Sequence, residues 1–280
     1  MMKFKTFYLL SLLISCFTFQ AFAQDKYNYQ FVENVPYYDA GQDDYQRTQC
    51  LLDIYYPVDG KEKAEGRPVV VWFHGGGLTG GQKEIPSYLK DKGLVVVGVG
   101  YRFSPKVKVE GIIHDAAKAV SFIYNQVNKY NGDKNKFFLS GHSAGGYLVT
   151  MLALNPSYLE PHGMNANDLT GVISFSGQAI THFTARKELG IDEKQPTIDA
   201  LAPLYWVRKD APPLVLLTGD REKEMLGRYE ENAYLKRMMD IVGHPDTKLM
   251  EFQGYGHGMT YPGFPVMLEE MQRILTEKNN

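Results

Sequence analysis

The chain has few cysteines, no excess of basic residues and only one long apolar run. Its 280 residues include two cysteines, Cys16 and Cys50, and 30 lysines and arginines against 32 aspartates and glutamates. No basic surplus is available to neutralise phosphates, which argues against a nucleic-acid partner. Without a His-x-x-x-His pair, and with so few cysteines, the sequence shows no metal motif and predicts neither a metal nor another cofactor. Its 44% hydrophobic and 22% charged residues are typical of a globular protein.

The one long apolar run lies near the N-terminus, at residues 7–19, after two lysines. It is shorter than the about 20 residues of a transmembrane helix. A small-x-small pattern ending at Ala23 follows, so we predict a signal peptide over residues 1–23 and a secreted or periplasmic chain. The residues before Cys16 also resemble a lipoprotein cleavage site, which leaves a lipid anchor there as an alternative. If the signal peptide is removed, Cys50 remains alone and no intramolecular disulfide can form.

Short apolar runs alternate with helical patterns along the rest of the chain. Strands buried on both faces are predicted at residues 69–73, 94–99, 137–140, 171–175, 214–218 and 248–252. Helices are predicted at residues 113–129, 144–154, 229–242 and 265–278. Two earlier runs, residues 27–32 and 50–56, precede any long helix and predict an antiparallel edge. We therefore expect one α/β domain over residues 24–280, with a mostly parallel eight-stranded sheet and helices on both faces.

A serine motif follows the third of these predicted strands. Gly141-His142-Ser143-Ala144-Gly145 matches G-x-S-x-G, with a strand before it and an apolar helix after it. The two glycines allow a sharp strand-to-helix turn, because they carry no Cβ to clash with neighbouring elements. Ser143 would project at the tip of this turn, where free N–H groups of the helix face a developing oxyanion. The alternative is a glycine-rich connecting turn without catalysis.

A second motif, His74-Gly75-Gly76-Gly77, follows the strand at residues 69–73. Glycines without side chains let backbone N–H groups approach a substrate oxygen closely. A tight loop without a ligand would explain the motif alone, but not its pairing with the serine turn. The pair resembles the α/β-hydrolase esterases of the HGGG type, close to the hormone-sensitive-lipase-like and polysaccharide-associated carbohydrate esterases.

The resemblance covers most of the chain and implies the fold and several roles. It implies an α/β-hydrolase fold, a serine carboxylic ester hydrolase, and an oxyanion hole formed by the backbone N–H groups of Gly76, Gly77 and Ala144. The segment around Tyr101 and Arg102 is similar to an Asn-Tyr-Arg segment of the family, with glycine where asparagine is usual. Asp115, at a helix start, is interpreted as ordering a loop or facing the helix dipole, and not as a catalytic acid.

The base must be a histidine that can reach Ser143, and the chain has seven. His257 lies in Gly-Tyr-Gly-His-Gly just after the last predicted strand, where the family places its base. His74 belongs to the glycine loop and His142 precedes the nucleophile, so neither is predicted to act on it. The other four lack a glycine-rich context after a strand: His114, His162, His182 and His244.

The acid is predicted within the run that follows the strand at residues 214–218. Many relatives place it at the position of Glu222, and others at the position of Asp220. Either residue gives the chain order serine, acid, histidine. Both, together with Glu224, could instead form a solvated charge cluster. We predict Glu222, with Asp220 as the alternative.

The expected function is hydrolysis of carboxylic esters through an acyl-enzyme, with acetyl or feruloyl groups on polysaccharides as candidate substrates. An amidase, formamidase or peptidase with the same triad, or a non-catalytic binding protein of this fold, is the alternative. Residues 180–201 are long enough for a small lid. Thr181-His182-Phe183 and Tyr205-Trp206 offer aromatic surface that could stack on a sugar or feruloyl ring, or could simply pack.

Overall fold

Eight strands form one sheet. The computed structural model describes residues 27–39, 43–58, 66–225 and 227–278, so the predicted signal peptide and the alternative anchor at Cys16 lie outside the described residues. In chain order the strands are β1 (Asn28–Pro36), β2 (Leu51–Val58), β3 (Arg67–Phe73), β4 (Val95–Val99), β5 (Gly132–His142), β6 (Gly171–Phe175), β7 (Leu214–Gly219) and β8 (Thr247–Phe252). In space their order is β1-β2-β4-β3-β5-β6-β7-β8.

The N-terminal edge of the sheet is antiparallel and the rest is parallel. β2 pairs antiparallel with both β1 and β4, whereas the pairs from β4 through β3, β5, β6 and β7 to β8 are all parallel. The predicted eight-stranded, mostly parallel sheet with an antiparallel N-terminal edge is confirmed. Because the parallel strands share one direction, the loops after β3, β5, β7 and β8 leave the sheet at the same edge.

Within the described ranges, six α-helices accompany the sheet. They are α1 (Asp44–Gln49), α2 (Val109–Gln126), α3 (Ala144–Leu154), α4 (Phe183–Glu188), α5 (Arg228–Ile241) and α6 (Thr260–Lys278). None of the described helices combines the length and apolar character needed to cross a membrane.

The sheet is covered on both faces, as its strand sequences require. Val69 and Val71 of β3 pack into a core that includes α2 and α3, whereas Val70 and Trp72 pack with Met267 of α6. All five side chains are almost fully buried. Successive strand residues point to opposite faces, so a strand between two helical layers must be apolar at every position. Each fully buried valine contributes about 1.5–3 kcal/mol relative to an exposed one.

The predicted helices are present, with shifted starts. α2 begins at Val109, before the predicted residue 113, and α6 begins at Thr260, before the predicted residue 265. Proline favours a first helical turn, which made Pro265 the expected start. In the structure Pro265 lies inside α6. Packing of the first turn of α6 on the sheet, through the buried Phe264, outweighs this local preference.

Candidate active site

Ser143 lies at a sharp turn between β5 and α3. β5 ends at His142 and α3 begins at Ala144, so Ser143 alone connects them. Its φ of 56° and ψ of −114° lie outside the regions that non-glycine residues ordinarily occupy. The Ser143 N–H donates a hydrogen bond to the Phe175 carbonyl oxygen at 2.8 Å, which ties the turn to β6. Such a strained strand-to-helix turn is typical of the nucleophile position in this class of fold.

The glycines on either side of Ser143 are required by close backbone contacts. A Cβ added at Gly141 would lie 2.7 Å from the carbonyl oxygen of Phe73 and 2.6 Å from the carbonyl carbon of Gly145. A Cβ added at Gly145 would overlap that same Phe73 oxygen. Since the obstructing atoms belong to the backbone, no side-chain rotation can relieve the overlap. The motif therefore reflects how closely α3 approaches β3.

We expect Gly145→Ala to lower the free energy of unfolding by about 3 kcal/mol or more, because overpacking against a fixed backbone is costly. Urea-induced unfolding followed by circular dichroism measures this change. Gly80→Ala is the matched control, since no heavy atom lies within 4 Å of a Cβ added there. The control should stay within about 0.5 kcal/mol of the wild type. An equal loss in both variants would contradict the steric explanation.

His257 lies between β8 and α6 and connects Ser143 to a carboxylate. Its Nε2 is 2.9 Å from the Ser143 Oγ, and its Nδ1 is 2.6 Å from Oε1 of Glu224. An ionised carboxylate only accepts hydrogen bonds, so Nδ1 carries the proton and Nε2 accepts from the Ser143 hydroxyl. The structure thus brings the two predicted residues Ser143 and His257 together and adds Glu224.

Glu224 is held as an anion by hydrogen bonds. Its side chain is fully buried. It accepts hydrogen bonds from the Ser176 hydroxyl at 2.5 Å, the Gly219 N–H at 3.1 Å and the Met225 N–H at 2.9 Å. Burial raises the pKa of Glu224, but the hydrogen bonds from His257, Ser176 and the backbone outweigh it and lower the pKa to about 2. Glu224 is therefore charged at neutral pH and can stabilise a protonated His257.

The prediction of Glu222, or alternatively Asp220, as the partner of His257 is wrong. Asp220 accepts hydrogen bonds from the backbone N–H groups of Gly254 at 2.8 Å and Glu222 at 2.9 Å, and so orders the loop. The Glu222 side chain is exposed. The backbone N–H of Glu224 bonds to the Asp220 carbonyl oxygen at 2.8 Å, so the chain completes one helical turn after β7. This turn directs Glu224 back to the sheet edge, where His257 lies.

The glycine-rich loop after β3 lies next to the serine. A Cβ added at Gly75 would be 3.3 Å from the Ser143 Cβ. Gly76 and Gly77 have φ values of 118° and 63°, which favour glycine. In the part of the chain that the structure describes, the backbone N–H groups of Gly76, Gly77 and Ala144 form no hydrogen bond. The three predicted oxyanion donors are thus available to an oxygen atom of a ligand.

Neighbouring side chains hold this loop in place. The His74 ring stacks on Tyr101 with ring centres 4.4 Å apart, and the Tyr101 hydroxyl donates to the His74 carbonyl oxygen at 2.7 Å. From the other side, the Thr184 hydroxyl of α4 donates to the Gly77 carbonyl oxygen at 2.5 Å. These contacts fix the loop without using its N–H groups.

His142 contacts the backbone of His257. No role was predicted for His142. Its Nε2 is 2.7 Å from the His257 carbonyl oxygen, and the two ring centres are 4.7 Å apart. Because a carbonyl oxygen only accepts, Nε2 of His142 carries the proton. Burial lowers the pKa of His142 to about 4, so its ring is neutral at pH 7. His142 therefore anchors the segment that presents His257 to Ser143.

We expect His142→Phe to lower kcat by about 10- to 100-fold with little change in KM, because a small displacement of His257 misaligns its proton transfer. His142→Gln retains an N–H donor of similar reach and should recover part of the loss. Steady-state kinetics on a short-chain ester compare the two variants. Equal kcat values for the phenylalanine and glutamine variants would show that the donor is not what matters.

Asp115 orders loops, as one interpretation of the sequence held. It lies inside α2 and not at a helix start, so the predicted helix-start position is wrong. Asp115 is fully buried in α2. It accepts hydrogen bonds from Arg102 Nε at 2.8 Å and Nη2 at 2.6 Å, and from the Tyr38 hydroxyl at 2.8 Å. It makes no contact with Ser143 or His257, and it joins the loop after β4 to the segment after β1.

A cavity of about 900 Å³ adjoins Glu224. Residues 180–201, the predicted lid, supply one wall through α4 and the loop after it, including Phe183 and Ile198. The opposite wall includes Arg228 at the start of α5. That residues 180–201 act as a lid stays a prediction.

The aromatic residues that could contact a sugar are in different environments. His182 is buried and packs on Tyr147, with ring centres 5.0 Å apart. Tyr205 is 57% exposed, whereas the Trp206 ring donates its N–H to the Ala200 carbonyl oxygen at 2.8 Å. His182 is thus a packing residue, while Phe183 and Tyr205 offer accessible aromatic surface. Across the described residues, no group of three or more His, Cys, Asp or Glu side chains is arranged to hold a metal ion.

The sheet topology and the serine turn together define an α/β-hydrolase. A family model described as BD-FAE matches residues 52–236, about two thirds of the chain. The chain therefore belongs to the BD-FAE family of α/β-hydrolase esterases, and the resemblance inferred from its motifs is confirmed.

Similar proteins carry esterase or hydrolase names. The chain is 35% identical to phenmedipham hydrolase of Pseudarthrobacter oxydans over 38% of its own length and 24% of that protein. It is 25% identical to esterase LipC of Mycobacterium tuberculosis over 74% of its own length and 56% of that protein. It thus spans between about a quarter and about half of these relatives. A truncated carbohydrate esterase from gut microbiota shares its fold, with a TM-score of 0.71 and 19% identity over 91% of this chain and 99% of that one.

Proposed function

We propose that this protein is a serine esterase in which Ser143, His257 and Glu224 form the catalytic triad. The observation that carries the proposal is the continuous hydrogen-bonded arrangement from Ser143 Oγ through the His257 ring to the buried Glu224 carboxylate. Membership in an esterase family supports it independently.

The first half of the reaction forms an acyl-enzyme. His257 Nε2 takes the Ser143 hydroxyl proton while Oγ attacks the carbonyl carbon of the ester. Glu224 keeps the proton on Nδ1 and stabilises the imidazolium. The carbonyl oxygen becomes an oxyanion, which accepts hydrogen bonds from the loop N–H groups. When it collapses, the bond to the alcohol oxygen breaks, and His257 returns its proton to that oxygen.

The second half releases the acid. Water enters beside His257, whose side chain is 27% exposed and so reachable from solvent. His257 Nε2 takes a proton from the water, and the resulting hydroxide attacks the acyl carbon. Collapse of the second oxyanion breaks the bond to Ser143 Oγ, which recovers its proton from His257.

The oxyanion donors are assigned to Gly76, Gly77 and Ala144. Ala144 is the first residue of α3, so its N–H has no partner within the helix and lies at the positive end of the helix dipole. Donors that are already oriented need no rearrangement when charge develops on the substrate oxygen.

Polysaccharides that carry acetyl or feruloyl groups are the substrates we propose. The half-buried Phe183 ring in the cavity wall and the structural likeness to a carbohydrate esterase support this choice. In the same proposal the chain is exported, with residues 1–23 removed. Mass spectrometry of the protein recovered from its native cells should show an N-terminus at residue 24; a lipid on Cys16 would indicate anchoring instead.

Two assays test the proposal. Turnover of p-nitrophenyl acetate establishes ester hydrolysis, and failure to cleave any acyl ester would favour a binding protein. Rates on acetylated xylan, feruloylated arabinoxylan and simple short-chain esters then rank the substrates. Long-chain triglycerides as the best substrates would refute the polysaccharide proposal while leaving the esterase function intact.

A further inference from the structure

Two arginines of the cavity beside Glu224 are buried without an ion-pair partner. Arg186 of α4 and Arg228 of α5 line this cavity and are 4% and 2% exposed. Within the described ranges neither guanidinium forms an ion pair, and the Nε–H of each has no hydrogen-bond acceptor. Buried charged groups are ordinarily paired, because an unpaired one loses its hydration without compensation.

Most N–H groups of these arginines are unused. A guanidinium offers five N–H donors. Arg186 donates through Nη1 to the Gln195 carbonyl oxygen at 2.6 Å, and Arg228 donates through Nη1 to the Ser176 carbonyl oxygen. Each arginine is thus fixed by one backbone contact and keeps the rest of its guanidinium available.

Two of the four glutamates that line the cavity, Glu231 and Glu224, are already engaged by other donors. Glu231 accepts from the Ala179 N–H at 3.1 Å and from the side-chain amide of Gln178 at 3.5 Å, and Glu224 accepts from His257. Both act on Arg228 only through longer-range attraction.

The pKa of Arg228 reflects this crowded setting. Burial lowers it most, the attraction of Glu231 and Glu224 opposes that effect, and the positive charge of Arg186 lowers it further.

Among the described residues, the two guanidinium groups have no acceptor apart from one backbone carbonyl each. The cavity wall also includes the exposed Glu193 and Glu230, and Glu230 lies 3.6 Å from Arg221. At the two buried arginines themselves, N–H donors outnumber acceptors.

The cavity borders both parts of the catalytic centre. It touches Glu224, and its wall includes Phe183, whose ring would be 3.1 Å from a Cβ added at Gly77. One imidazole ring separates Glu224 from Ser143. The cavity therefore adjoins the catalytic centre at two places, Glu224 and the side chain that packs on Gly77.

We infer that this cavity binds a carboxylate carried by the ester substrate, and that Arg186 and Arg228 hold it. The inference rests on the proposed esterase function and narrows its substrate class to acidic esters. A carboxylate supplies the two acceptor oxygens that the guanidinium groups lack, and it can bind in the forked geometry that suits them.

Matched esters test the preference and locate the carboxylate. Comparing the hydrolysis of monomethyl glutarate with that of methyl hexanoate tests a carboxylate on the acyl side of the ester. Comparing the 5-acetoxypentanoate anion with hexyl acetate tests a carboxylate on the alcohol side. We expect kcat/KM to be at least about tenfold higher for the charged ester in one arm, since hydrogen bonds to charged groups are stronger than those to neutral ones. No preference in either arm overturns the inference.

Three variants identify the residues responsible. Arg186→Met and Arg228→Met should each remove most of the preference, measured as the ratio of kcat/KM for the charged ester to kcat/KM for its neutral match. Arg208→Met is the control, because Arg208 also has a buried Nε–H without an acceptor but lies outside the cavity. The inference is overturned if the kcat/KM ratio of charged to neutral ester is unchanged in both cavity variants. It is also overturned if the ratio falls by the same factor in Arg208→Met.

A second measurement covers the case in which Arg228→Met fails to fold. Free glutarate should inhibit hydrolysis of hexyl acetate competitively, and its inhibition constant should rise at least about tenfold in Arg186→Met. Absence of inhibition, or an unchanged constant, contradicts the inference. If no ester is hydrolysed at all, the proposed function fails, whereas calorimetric titration with glutarate still decides whether the cavity binds a carboxylate.

Discussion

Replacing Ser143 with alanine is expected to lower kcat on p-nitrophenyl acetate by about 10⁵- to 10⁶-fold, the size of effect seen when a triad nucleophile is removed. The variant keeps the oxyanion donors and the His257–Glu224 pair but has no oxygen to form the acyl-enzyme. The same assay, with enough enzyme to detect the residual rate, measures the loss.

Two controls make the result interpretable. Circular dichroism and the urea midpoint should show that Ser143→Ala remains folded, because alanine adopts the same backbone conformation and loses only the hydroxyl. Ser157→Ala, at an exposed serine that contacts only Asn155, should retain wild-type kcat. Substantial turnover by folded Ser143→Ala would assign the nucleophile elsewhere.

The second large effect is expected for Glu224→Gln, which should lower kcat by up to about 10⁴-fold. The amide is nearly the same size, but it cannot supply the negative charge that stabilises a protonated His257. The glutamine amide can also donate its N–H to His257 Nδ1. This favours the tautomer with the proton on Nε2, which cannot accept the Ser143 proton. The loss should appear in kcat on a short-chain ester, with KM little changed.

Glu222→Gln is the matched control on the same turn. Its exposed side chain is not in contact with His257, so we expect kcat within about twofold of the wild type. Asp220→Asn removes a loop-ordering carboxylate, and its effect on kcat should lie between the two. A larger loss for Glu222→Gln or Asp220→Asn than for Glu224→Gln would refute the assignment. The double variant of Asp220 and Glu222 tests whether these neighbours compensate for each other.

The sequence alone does not show which of these three carboxylates contacts His257. Asp220, Glu222 and Glu224 alternate along one short segment after β7, and each preserves the chain order of serine, acid and histidine. Spacing from Gly219 therefore does not distinguish them. The backbone hydrogen bonds within the turn decide which side chain points inward, and those bonds depend on contacts with Gly254 and Tyr255 beyond β8.

The fold class, Ser143 and His257 could be predicted from the linear sequence and the family resemblance of its motifs. Strands with a continuous apolar run, such as residues 69–73, report burial on both faces, and their alternation with helices specifies a parallel sheet. Ser143 was identifiable because glycines at fixed neighbouring positions reflect a backbone contact that only they allow. His257 was predicted because it lies in a glycine-rich loop directly after the last strand, where the family that the motifs resemble places its base. These signals are local, so a linear pattern can carry them.

The pairing of Glu224 with His257, the contact made by His142 and the burial of the two cavity arginines follow only from the three-dimensional arrangement. Each depends on groups far apart in the chain: Glu224 on His257, His142 on the His257 carbonyl, and Arg186 on Arg228 across the cavity. Burial and the lack of hydrogen-bond acceptors depend on the three-dimensional surroundings of a side chain. The sequence pattern of a helix is the same whether its arginine faces solvent or lines a cavity. The physical reason is that hydrogen bonding and desolvation act over a few ångströms in space, irrespective of the separation along the sequence.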